Sequence, residues 1–243
     1  MVTDMCGRFA ASDHVNEAIT EFVTRTGRRP DEWTPDWEGS YNLAPTQSIP
    51  VLLDSAKAGE LRFERAHWSL VPSWSKTLKL KYPTFNARAE GITEKSTWRK
   101  PVQSHRAIIL AEGFYEWTGE RGSKTPWWMS YPDEGLMGFA GLYSWWRDPS
   151  KGDEDPDRWK LTATIVTSDA VQTLAGIHDR NPVILPESMW LHWMDPTIAG
   201  DQGLVDEAVR AGVAEAETLQ IRQVEPFTVR DEGPGLIQPV DAG

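Results

Sequence analysis

Residues 107–111 read Ala-Ile-Ile-Leu-Ala. An unbroken apolar run of this length reads as a buried strand. A buried strand constrains the chain around it, because its backbone donors and acceptors need neighbouring strands. The chain supplies them. Residues 49–53 and 61–68 read as two strands joined by the polar turn 54–59. Residues 114–117 and 127–131 flank a Gly- and Lys-rich turn and read as a hairpin. Further strands are expected at 139–146, 183–185 and 219–224, and at 161–167, where Leu161, Ala163, Ile165 and Thr167 fall at strand spacing.

The helices are short. Val15, Ala18, Ile19, Phe22 and Val23 follow helical spacing, with Gly27 placed to stop the helix. A short helix is expected to run up to Trp98 and another over 169–175. Pro186 opens one that reaches about Trp193, and a helix over 204–211 is expected to end at Gly212. Residues 28–40, 69–74 and 148–157 read as loops, and 76–82 is a basic stretch. With 243 residues, no repeat and no linker, the expected product is one strand-rich α+β domain.

Cys6 is the only cysteine, which excludes an internal disulfide framework and a cysteine-based zinc site. No apolar run approaches about 18 residues and no signal peptide is legible, so a cytoplasmic setting is the expectation. The net charge of −11 argues against a nucleic-acid partner until its distribution is read. Residues 61–106 hold ten basic and three acidic side chains, a balance of +7 that leaves −18 for the remainder. Such a region can hold a few phosphates, or it can be a face of solvated lysines and arginines.

Four residues could carry chemistry: Cys6, Asn86, Glu116 and His178. Each also has an ordinary reading. A lone cysteine serves as a small buried hydrophobe. A glutamate between Tyr115 and Trp117 can face water, His178 can pair with Asp179, and Asn86 can cap a turn.

Their context narrows the choice. Met5-Cys6-Gly7-Arg8-Phe9 and Tyr41-Asn42-Leu43-Ala44-Pro45 are followed by Trp68-Ser69-Leu70-Val71-Pro72-Ser73-Trp74. Then come Asn86-Ala87-Arg88-Ala89-Glu90, Gly113-Phe114-Tyr115-Glu116-Trp117, Ile177-His178-Asp179-Arg180 and Leu236-Ile237-Gln238-Pro239-Val240. In this order they resemble the SRAP family of abasic-site processing proteins, also called SOS-response-associated peptidases. The resemblance spans nearly the whole chain. It implies a mixed, largely antiparallel, barrel-like sheet with short flanking helices, acting as a monomer without metal or cofactor.

The resemblance also implies a reaction: binding of single-stranded DNA at an abasic site and a covalent crosslink through an amino-terminal cysteine. Carried over by motif, Cys6 is the nucleophile, Glu116 moves protons, His178 donates one as the sugar ring opens, and Asn86 holds the α-amine. Arg8, Arg88 and Arg106 would contact phosphates, and Trp74 would stack beside the lesion. Asn42 and Thr167 are weaker candidates for the pocket. Residues 1–5 precede the cysteine here, so the resemblance implies their removal or initiation at Met5, with autoproteolysis as one route. Ser75 stands where many members have a second aromatic, and the 76–82 loop carries three extra lysines. Met-Cys-Gly also opens class II glutamine amidotransferases, whose other motifs are not found. A non-catalytic, Trp-rich binding module is the remaining alternative.

Overall fold

The computed structural model describes residues 7–27, 36–55, 60–120 and 122–240. Its elements, in order, are β1 (Phe9–Ala11), α1 (His14–Arg25), β2 (Ser40–Leu43), β3 (Ser48–Ser55), β4 (Glu60–Trp68), β5 (Asn86–Arg88), α2 (Ser96–Ser104) and β6 (Arg106–Ala111). There follow β7 (Gly113–Thr118), β8 (Thr125–Ser130), β9 (Met137–Arg147), β10 (Trp159–Asp169), β11 (Arg180–Pro182), β12 (Ile184–Leu185), α3 (Glu187–Met194), α4 (Gln202–Glu217) and β13 (Gln220–Gln223). No helix among the described residues is long and apolar enough to cross a membrane.

The apolar run sits where its composition demands. All of β6 is buried, paired antiparallel with β3 on one side and β9 on the other. β3 continues to β4, and β4 meets β10 in parallel at His67 and Trp68. β10 then pairs antiparallel with β9, which closes the ring β3-β4-β10-β9-β6. The strand-rich α+β expectation and the barrel-like, mostly antiparallel sheet are both borne out. A second, antiparallel sheet in the order β13-β8-β7-β1-β2 packs against the barrel. Its Phe9 and Phe114 meet Phe139 of β9 edge-on, at centroid separations of 5.9 and 6.0 Å.

One end of the barrel opens by exchange of neighbours. Along β10, β4 gives way to β5 at Ile165, and β9 gives way to β11 at Thr167. Strands on both sides of this end lead directly into loops. That is how a closed barrel offers side chains from distant parts of the sequence to one place.

Two local expectations are corrected. The stretch 169–175 is not a helix: Asp169 ends β10 and turns follow over 172–177, with the Leu174 and Ala175 amides donating to the Val171 carbonyl. α4 does not stop at Gly212 but runs on to Glu217. Gly212 is there for close approach, since a Cβ on it would lie 2.8 Å from the Ile184 carbonyl oxygen. Thr162 is buried, its hydroxyl accepting from the Val71 amide and donating to the Ser144 carbonyl at 2.9 and 3.0 Å.

Candidate functional site

A cleft of about 1030 Å³ opens between the second sheet and the exchanged end of the barrel. It is lined by Gly7 and Arg8, which lead into β1 of that sheet, by Glu116 from β7, and by His178 from the turn before β11. Phe85, just before β5, and Phe227, from the carboxy-terminal segment, complete the apolar walls. Cys6 lies outside the described residues; its covalent neighbour Gly7 lines the cleft.

Glu116 is 3% exposed. Strand alternation puts it on the same side as the core residue Phe114, while Tyr115 and Trp117 face a separate aromatic cluster with Trp128 and Phe227. The reading that it faces bulk water is therefore corrected. Its strand is held by the pair Glu116–Trp127 across the hairpin.

His178 is also largely enclosed. Its Nδ1 accepts from the Arg180 amide at 3.1 Å and lies 3.0 Å from Asp179 Oδ1. A nitrogen cannot accept from an N–H and donate to a carboxylate at once. The two contacts compete for Nδ1 and leave the Nε2 edge of the ring without a hydrogen-bond partner among the described residues.

Asn86 stands in β5, in parallel register with Ile165. Its position is fixed on either side. The Phe85 carbonyl accepts from the Trp68 indole at 2.9 Å and from the Ile165 amide at 3.0 Å. The Thr167 carbonyl accepts from the Ala89 amide at 2.9 Å and from Arg180 Nη2 at 2.7 Å.

Arg180 clasps this end of the barrel. It is buried, forks onto both oxygens of Glu90 at 2.9 and 2.8 Å, and reaches Asp169 at 2.5 Å. Burial pushes the Glu90 pKa up, but the hydrogen bonds and charge of Arg180 outweigh it, leaving the carboxyl below its ordinary 4.5. A depressed carboxyl stabilises the fold above its unfolded pKa and loses that contribution as pH falls through the folded value. The stability difference between the natural protein and Glu90→Gln is thus expected to be flat above about pH 5 and to shrink below about pH 4. Urea midpoints measured across that range check it.

The phosphate candidates divide. Arg8 is half buried, and burial lowers its pKa against a smaller raising effect of the Tyr115 hydroxyl. Among the described residues no carboxylate pairs with it; Nη1 donates to Asn42 Oδ1 at 2.6 Å. Arg88 is exposed on β5. Arg106 is corrected: it is 1% exposed, and its guanidinium donates to the carbonyls of Val102, Gln103, Trp193, Asp195 and Ile198. No face of it is left for a phosphate. Asn42 and Thr167 are buried and do not line the cleft. Asn42 sits behind Arg8, and Thr167 lies beneath β5 and β11.

Trp74 is 68% exposed, in keeping with a stacking surface. Sequence reasoning missed Tyr82, equally open at 69%, with the Lys81 ammonium 5.4 Å from its ring centroid. A tyrosine ending a lysine-rich loop was the available signal. Phe227 and Lys124 were missed as well. Lys124 belongs to the hairpin turn, whereas Phe227 sits in a polar tail and gives no local signal.

Comparison with known proteins agrees with this architecture. The profile of the family described as SOS response associated peptidase (SRAP) matches residues 5–228. The abasic site processing protein YoqW of Bacillus subtilis is 35% identical over 195 residues, covering 79% of this chain and 81% of its own. The abasic site processing protein HMCES of Gallus gallus is 31% identical over 276 residues, covering 98% of this chain and 79% of its own. A crystal structure of a Bacteroides thetaiotaomicron protein superposes with a TM-score of 0.75 at 22% identity, over 97% of this chain and all of that one. The last likeness concerns the fold alone.

Proposed function

The chain belongs to the SOS response associated peptidase family, and on that premise we propose that it captures abasic sites in single-stranded DNA as a covalent adduct on Cys6. The carrying observation is the cleft itself. Gly7, one bond from Cys6, shares it with a buried carboxylate, Glu116, a histidine, His178, and a cation without a carboxylate partner among the described residues, Arg8.

The chemistry uses each of them. An abasic deoxyribose is a cyclic hemiacetal that opens to an aldehyde. His178 donates to the ring oxygen as the C–O bond breaks. Once residues 1–5 are removed, the Cys6 α-amine attacks the aldehyde carbon. An α-amine titrates at roughly 7.7–8.0, against about 10.4 for lysine, so a useful fraction is neutral near pH 7.5. Glu116 carries the two protons of the attacking nitrogen in turn to the former carbonyl oxygen, giving first the carbinolamine hydroxyl and then water, which leaves the imine. The Cys6 sulfur then bonds to the imine carbon, its proton passing to nitrogen, and a five-membered thiazolidine closes. Both nucleophiles sit on one residue, so this closure is intramolecular and benefits from effective molarity. Asn86 orients the amine, Arg8 and Arg88 hold phosphates, and Trp74 stacks on a flanking base. Attack of the same thiol on the Met5 carbonyl would shift the acyl group from nitrogen to sulfur, and water would then release residues 1–5, which would make their removal autoproteolytic.

The test is incubation of protein beginning at Cys6 with a single-stranded oligonucleotide bearing one abasic site, followed by a denaturing gel. An adduct that survives denaturation is expected; its absence sinks the reading. Glu116→Gln should slow adduct formation by at least about 10²-fold with little change in affinity, the usual contribution of a positioned acid–base group. Matching losses of affinity and rate would reassign Glu116 to structure.

A further inference from the structure

Asn42 connects two walls of the cleft without lining it. The residue is 4% exposed, and its side-chain amide makes three hydrogen bonds to the described residues. Arginine only donates, so the atom facing Arg8 at 2.6 Å must be the oxygen. Carbonyls only accept, so the atom facing Thr228 O at 3.0 Å and Asp231 O at 2.7 Å must be the nitrogen. The amide therefore has one permitted orientation.

Each side of it bears on the cleft. Arg8 lines one wall, and its backbone is fixed where its carbonyl accepts from the Tyr115 amide at 3.0 Å. Thr228 follows Phe227, which also lines the cleft and packs on Tyr115 and Trp117 at centroid separations of 4.8 and 5.7 Å. This strap, residues 227–232, is clipped a second time, where Glu232 accepts from the Tyr41 amide and the Ser40 hydroxyl at 2.5 and 2.8 Å. Glu232 is thus spent on β2. Of the neighbours packed around Arg8, the Tyr115 hydroxyl is engaged as well, donating to the Tyr41 carbonyl at 2.8 Å.

We propose that Asn42 is a positioning residue for DNA binding: its neutral amide aims Arg8 into the cleft while leaving the charge for a phosphodiester, and it ties that cation to the strap carrying Phe227. This rests on the proposed DNA reading. The choice of asparagine carries the inference. A carboxylate of the same shape would neutralise Arg8 from behind, and its second oxygen would face two carbonyls. A phosphate arriving in the cleft would then meet an ion pair instead of a cation.

The test measures noncovalent binding of an undamaged single strand against salt, together with adduct formation at saturating abasic strand. Each phosphate contact contributes about 0.7 to the slope of log K against log salt for single strands. Asn42→Asp is expected to lower that slope by about 0.7 and weaken binding about tenfold, while the rate at saturation stays within about twofold. Asn42→Ser leaves Arg8 charged but untethered, so it should weaken binding about threefold with the slope kept. An unchanged slope in Asn42→Asp overturns the proposal. So does an equal slope loss in Asn42→Ser, which would mean collapse of the strap, or wild-type affinity in Asn42→Ser. Should Asn42→Asp not fold, the serine arm decides alone. Failure of the wild-type protein to bind the undamaged strand or to form an adduct would instead count against the DNA reading itself.

Discussion

Cys6→Ala is expected to abolish the denaturation-resistant adduct while leaving affinity for the abasic strand within about twofold, because the change removes a nucleophile and no binding surface. The α-amine survives the substitution, so imine formation should persist. An imine is reversed by water and is lost on denaturation, whereas a thiazolidine adds a C–S bond and is retained. Borohydride present during incubation delivers hydride to the imine carbon and leaves a stable secondary amine. The variant beginning at residue 6 should therefore crosslink only with borohydride, and the same variant retaining residues 1–5 should not crosslink at all. In that longer form the nitrogen is an amide, with its lone pair delocalised into the carbonyl. Normal crosslinking by Cys6→Ala without borohydride would remove the cysteine from the mechanism. Borohydride trapping with residues 1–5 attached would point to a lysine, and Lys124 in the cleft would be the first to replace.

What the sequence made legible depends on how far apart the partners lie. The run 107–111, the helix over α1 and the β7–β8 hairpin follow from patterns confined to a few residues, and each was found close to its observed bounds. Helix α4 was cut short because Gly212 carries two meanings, chain termination and close approach, and only the position of Ile184 distinguishes them. The cleft was legible as a set of motifs but not as a geometry. The ordinary alternative for Glu116, that it faces water, stayed open on local grounds because the residues that bury it come from distant parts of the chain. The strap was invisible for the same reason: Asn42 reaches carbonyls 186 and 189 residues away. Charge counting also failed at one place. Ten basic residues in 61–106 suggested a phosphate face, yet a count cannot separate a cation that meets solvent from one spent on the fold.

Arg106 is that case, and it yields the largest expected effect on stability. Its acceptors at Trp193, Asp195 and Ile198 come from chain 87, 89 and 92 residues on, and those at Val102 and Gln103 from the end of α2. A helix leaves its last carbonyls without intrahelical donors. Arg106 supplies donors to the ends of α2 and α3 together, with bonds of 2.5–2.9 Å. The loop after α3 is pressed onto it so closely that a Cβ on Gly200 would fall 2.2 Å from the Val102 carbonyl oxygen and 2.7 Å from Arg106 Nη1. Arg106→Met keeps much of the volume and removes a donor from five carbonyls, of which only Gln103 and Asp195 keep a backbone donor, at 3.0 and 3.3 Å, so a loss of about 3–5 kcal/mol is expected. Arg106→Lys offers three donors on a flexible stem where a planar fork is used, and should recover only part, leaving a loss on the order of 2 kcal/mol. Urea unfolding of the three proteins measures this. If Arg106→Met unfolded within about 1 kcal/mol of the natural protein, the carbonyl cage would be incidental and Arg106 would return to the surface candidates. If the cage holds, DNA affinity per folded molecule should not change in either variant, because the charge at position 106 never reaches the cleft.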